Sequence, residues 1–122
     1  MGGAASVPGA NKENGDKCFR EGNFIEALYW YTLAIKAAES SSSDDKDSLA
    51  ILYSNRSAAY LSNKCPDRSY CDAMICLELR PSWYKGYYRA AVASEARGKL
   101  LEAKEFVDKA ILCNTNAQDE VL

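Results

Sequence analysis

The 122-residue chain contains no histidine. The commonest general base is therefore missing, and with it any Ser/His or Cys/His nucleophile pair. There is no excess of positive charge either: the formal net charge is −2, the wrong sign for duplex binding. No apolar run approaches the ~20 residues of a membrane-spanning helix. The N-terminus also lacks the apolar middle region of a secretory signal. The five cysteines (Cys18, Cys65, Cys71, Cys76 and Cys113) include no CxxC pair, and the spacing of Cys65, Cys71 and Cys76 matches no common zinc pattern. No metal and no cofactor is expected. An odd number of cysteines suits a reduced, cytoplasmic protein with buried thiols. Asp and Glu could still do acid–base chemistry, but they are scattered over what read as solvated helix faces. An enzyme is not expected.

Residues 1–10, MGGAASVPGA, are dominated by Gly, Ala, Ser and Pro and carry no apolar period. Such a segment buries too little to offset the entropy of ordering, so it reads as a flexible leader. Its Met-Gly-x-x-x-Ser form, with Gly2 and Ser6, matches an N-myristoylation signal. A membrane partner follows only if Gly2 is acylated, and one acyl chain alone anchors weakly.

From residue 11 a helical period runs on, broken at short intervals. Asn11 to Arg20 is the first helix, stopped by Glu21-Gly22-Asn23. Phe24 to Glu39 is the second, with Phe24, Leu28, Tyr31 and Ile35 at three- and four-residue spacing. Residues 40–47, SSSSDDKD, form a polar insert that reads as a loop. The third helix covers Ser48 to Ser62. Pro66 opens the fourth, which runs to Leu79. Pro81 is expected to open the fifth, which Gly98 ends, and Leu100 to Cys113 forms the sixth. Residues 114–122 read as a tail or a partial capping helix. There is no strand candidate, so the fold class is all-α.

A repeat underlies these helices. Ser69 and Ala103 stand 34 residues apart, and Ala27 and Ser69 stand 42 apart, the surplus matching the polar insert. At this register small residues recur at corresponding sites: Gly15, Ala27 and Ala34; then Ser57, Ser69 and Cys76; then Ala91, Ala103 and Ala110. Small side chains are what antiparallel helices need where their axes come closest. Tyr31, Tyr53, Tyr60, Tyr87 and Val107 are expected to fill the larger interface holes, and most of the group formed by Trp30, Trp83 and the eight tyrosines reads as core. Gly22 and Gly98 recur at the turn, with Lys64 in the middle unit.

The pattern resembles the tetratricopeptide repeat, a 34-residue helix–turn–helix unit. The resemblance implies three units, at residues 11–39, 48–79 and 81–113, stacked as a right-handed superhelical solenoid whose first helices line a concave groove. Those helices carry Lys12 and Asp16, then Asn55, then Lys85 and Arg89. Residues at i and i+4 share a helix face, so Lys85 and Arg89 point together. Two lysines, an arginine and an asparagine amide suit a carboxylate-bearing peptide. Single-stranded nucleic acid would need a basic groove that this charge balance does not supply.

The constellation resembles the dicarboxylate clamp of heat-shock co-chaperones, which holds the C-terminal Glu-Glu-Val-Asp of cytosolic chaperones. By that resemblance Lys12, Asn55, Lys85 and Arg89 occupy clamp positions, and the partner is a chaperone's C-terminal peptide. Asp16 departs, because the clamp has asparagine there. An ionised aspartate only accepts hydrogen bonds and repels an anionic ligand. Either Asp16 pairs with Lys12 or Arg89 and shuts the site, or it takes a proton beside a bound carboxylate. A scaffold for an unrelated partner, with the clamp weakened by Asp16, is the alternative function. Oligomeric state is not legible.

Overall fold

The computed structural model describes residues 9–121, with side chains through residue 115. Gly2 and Ser6 lie outside these residues. Six helices follow one another: α1 (Ala10–Arg20), α2 (Phe24–Ser40), α3 (Lys46–Ser62), α4 (Pro66–Leu79), α5 (Tyr84–Ala96) and α6 (Leu100–Val121). No strand occurs among the described residues. Each odd helix packs against the even one after it, and each new pair packs on the last.

All three units turn from first to second helix in the same way. The backbone reverses through a left-handed residue at Gly22 (φ 81°), Lys64 (φ 63°) and Gly98 (φ 79°). The next amide then donates back five residues: Asn23 to the Cys18 carbonyl, Cys65 to Tyr60 and Lys99 to Ser94. This closure satisfies carbonyls that the helix end would orphan. Glycine adopts that φ without penalty, whereas Lys64 carries a Cβ there, at a cost of about 1 kcal/mol. The shared hydrogen bond is what holds the exception in place.

Three boundaries differ from the expected ones. The loop is shorter than the polar insert, because Asp45 caps α3: its carboxylate accepts from the Ser48 amide at 3.1 Å and the Ser48 hydroxyl at 2.6 Å. Pro81 does not open α5. It sits in a turn closed by the Trp83 amide on the Arg80 carbonyl at 3.1 Å, where its fixed φ serves the turn instead. And α6 does not stop at Cys113, since no glycine or proline follows to break it and the helix continues to Val121.

All nine small repeat sites are buried. The fit is tight: a Cβ on Gly15 would lie 2.6 Å from the Tyr31 ring. Ala34, Ile35, Leu52, Tyr53 and Cys76 form one core cluster, and Ala27, Tyr31 and Ala59 another. Val107, expected in an interface, is 42% exposed, because no described helix packs over that side of α6. Tyr29, Tyr84 and Tyr88 are exposed rather than core. The thiols are not uniformly buried. Only Cys76 is enclosed, pushed up to about 12 chiefly by burial, and Cys71 is exposed.

The carboxylates are not all on solvated faces either. Asp72 of α4 is only 3% exposed. Its two oxygens accept from Arg56 of α3, Oδ2 from Nε at 2.8 Å and Oδ1 from Nη2 at 2.9 Å. Arg56 also donates to the Thr32 hydroxyl of α2 at 3.2 Å, so one guanidinium ties three helices together.

Tyr53 packs beside this network, and its hydroxyl donates to Glu39 Oε2 at 2.6 Å. Burial, then the Glu39 hydrogen bond and charge, push its phenol up to about 12. A raised acid favours its protonated form in the folded state, so the contribution is complete below the unfolded value near 10 and fades toward 12. Thermal melts across that alkaline range should show a stability loss that Tyr53→Phe reduces.

Candidate functional site

The first helices of the pairs stand in a row: α1 packs beside α3, and α3 beside α5. Their shared face holds an open hollow of about 310 Å³, lined by Asp16, Phe19 and Arg20 of α1, Tyr31 of α2, Asn55 and Ala58 of α3, and Arg89 of α5. Side chains distant in sequence meet because the small repeat sites let the helices approach closely. Of the expected site residues, Asp16, Asn55 and Arg89 line this hollow together.

Lys12 joins it indirectly. Its ammonium donates to Asp16 Oδ2 at 2.9 Å, an ion pair one helical turn long. The other oxygen, Oδ1, accepts from the Tyr31 hydroxyl at 2.6 Å. Burial and this carboxylate raise the Tyr31 phenol well above the ordinary tyrosine value, so it stays a donor. Asp16 is thus engaged from both sides, by Lys12 and not by Arg89. The Lys12–Asp16 pairing, one of the arrangements open in the sequence, is formed.

Arg89 is placed differently. Its Nε donates to the Ser54 hydroxyl at 3.1 Å, and its guanidinium lies 5.5 Å from the centre of the Tyr88 ring. These contacts fix the side chain while the terminal nitrogens make no hydrogen bond among the described residues. A planar fork held by its inner nitrogen is a geometry that can donate two parallel hydrogen bonds to a carboxylate. Lys85, one turn earlier on the same helix, is exposed and makes no ion pair among the described residues. It does not line the hollow but adds positive charge along its α5 side.

Arg20, Phe19 and Tyr31 were not among the expected site residues. Arg20 and Phe19 follow Asp16 within one turn of α1, so helical spacing alone could have found them. Tyr31 comes from the second helix and reaches the site only because Gly15 leaves room for its ring.

Comparison with solved structures fits this architecture. The first TPR of Spaghetti (RPAP3), bound to HSP90 peptide SRMEEVD, aligns with a TM-score of 0.75 at 30% identity, over 87% of this chain and 78% of that one. The chain belongs to the tetratricopeptide-repeat family. The TPR2B domain of yeast Sti1, in complex with an Hsp70 peptide, aligns with a TM-score of 0.78 at 26% identity, over 89% of this tetratricopeptide domain and 81% of that one. Among curated proteins, sperm-associated antigen 1 of Rattus norvegicus is 41% identical over 92 residues, 75% of this chain. The tetratricopeptide domain spans only 10% of that relative's length. No family model matches the sequence.

Proposed function

We propose that this tetratricopeptide domain is a non-catalytic, cytoplasmic co-chaperone or adaptor module that binds the acidic C-terminal peptide of a heat-shock chaperone. The observation that carries the reading is Arg89, whose fork opens on a hollow shared with Asn55. Arg89 receives a ligand carboxylate, Lys85 adds charge beside it, and the Asn55 amide orients the peptide backbone. The similarity to domains solved with HSP90 and Hsp70 peptides supports the ligand class. Lys12 and Asp16 complete the expected set, and their mutual pairing lowers what they offer an anion.

Calorimetric titration with SRMEEVD as the free acid and as the C-terminal amide tests this. The amide should bind at least about tenfold more weakly, because it removes a charge-assisted pair. Equal affinities would remove the carboxylate from the account. A second reading, a scaffold for an unrelated partner, draws on the closed Lys12–Asp16 pair. Binding of neither peptide, at concentrations where the domain is folded, would favour it.

A further inference from the structure

The closed pair leaves the α1 side of the groove without the cation expected there. Lys12 already donates to Asp16, whose charge offsets its own, and Asp16 accepts from Tyr31 as well. An incoming carboxylate at Lys12 must compete with a fixed carboxylate already in place and would sit beside its charge. One turn beyond Asp16 along α1, Arg20 lines the same hollow. It is exposed and makes no ion pair or side-chain hydrogen bond among the described residues. A carboxylate reaching Arg20 displaces no internal partner, and Phe19 and Ala58 beside it provide apolar surface in the same hollow.

We propose that Arg20 is the anion-holding residue on the α1 side of the groove and determines which acidic peptides this domain accepts. The inference rests on the carboxylate reading of Arg89. With one ligand carboxylate on Arg89 of α5, a second carboxylate crosses the hollow to the C-terminal end of α1 instead of to Lys12. Asp16 sets this register: it offsets the charge of Lys12, whereas Arg20 has no internal partner among the described residues. The preferred ligand is a C-terminal peptide with a free terminal carboxylate and an acidic side chain reaching the α1 end. The last turn of α1 also carries Lys17, which balances the C-cap Glu21 beside Arg20. The basic charge that remains in this turn offsets the partial negative charge of the helix C-terminus.

A double-mutant cycle at residues 16 and 20 tests this, with SRMEEVD titrated into the whole chain and circular dichroism confirming folding of each variant. Arg20→Ala in the natural background should weaken binding about tenfold, the scale of one charge-assisted hydrogen bond. Arg20→Lys should recover part of that loss. Asp16→Asn releases Lys12 for the ligand, so in that background Arg20→Ala should cost less than about twofold, giving a coupling between the two positions. A uniform effect of Arg20→Ala in both backgrounds would reduce Arg20 to a contributor to the general field, and an effect under twofold in the natural background would also overturn the assignment. Arg89→Ala separates the two levels. If it abolishes binding while Arg20→Ala is silent, only the Arg20 assignment falls. If Arg89→Ala is silent too, the carboxylate reading itself falls.

Discussion

Asp72→Ala should destabilise the domain by about 3–5 kcal/mol, the cost of stranding a desolvated guanidinium. Arg56 is 17% exposed and would lose both hydrogen bonds to its carboxylate, keeping only Thr32. A domain of this size has about 5–15 kcal/mol in total, so the variant should be close to unfolding. The pair itself is worth much less than its rupture suggests. Burial raises the Asp72 carboxyl above its ordinary value more than Arg56 pulls it down, while the Arg56 guanidinium is raised, mainly through its hydrogen bonds to Asp72. Desolvation and attraction therefore oppose each other, with burial ahead at Asp72 and the hydrogen bonds ahead at Arg56. Arg56→Met combined with Asp72→Leu should recover most of the lost stability, since an apolar pair of similar volume avoids the desolvation. Urea denaturation of the single and double variants checks this, and a double variant no more stable than Asp72→Ala would refute it. Because the network joins α2, α3 and α4, the single variant should unfold with the contact between the first two pairs weakened first.

Removing both cations of α5, with Lys85→Ala and Arg89→Ala together, should reduce affinity for the free-acid peptide by about a hundredfold or more. Two charge-assisted contacts at about 1.5 kcal/mol or above each set that scale. Lys85 is exposed, and Arg89 makes a single hydrogen bond, to the buried Ser54 hydroxyl, whose loss costs about 1–3 kcal/mol, so the double variant should fold with reduced stability, checked by circular dichroism. Arg89→Lys separates charge from shape. It keeps the positive charge but loses the planar fork, and should retain only a minor part of the binding. An Arg89→Lys variant that binds as tightly as the natural chain would mean that α5 supplies general charge instead of a directed carboxylate contact. The affinity should also fall with added salt, most steeply for the natural chain.

The fold was largely legible because its cause is local and periodic. Helix termini are written in Gly22, Gly98 and Pro66, and the closest approaches between helices in residues such as Ala27, Ser69 and Ala103. Each of these acts through backbone geometry or side-chain size, which the residue type alone specifies. Pro81 is ambiguous in the sequence because its φ suits a turn as well as a helix start, and only the Trp83 hydrogen bond to Arg80 decides between them. The Arg56–Asp72 pair was invisible for a different reason. A charged residue on a periodic helix looks the same whether its partner is water or a carboxylate from the next helix.

The same division runs through the groove. The sequence by itself determined that Lys12, Asp16, Asn55, Lys85 and Arg89 stand on first helices at spacings that place Lys12 with Asp16 and Lys85 with Arg89. It also determined that an aspartate stands where a donor is expected. Only the tertiary structure decided that Tyr31 takes the second oxygen of Asp16 while Arg89 keeps its fork open and Arg20 borders the same hollow. The physical reason is that ion pairing depends on which side chains from other helices come within about 3 Å, a consequence of packing across the repeat that residue types do not state.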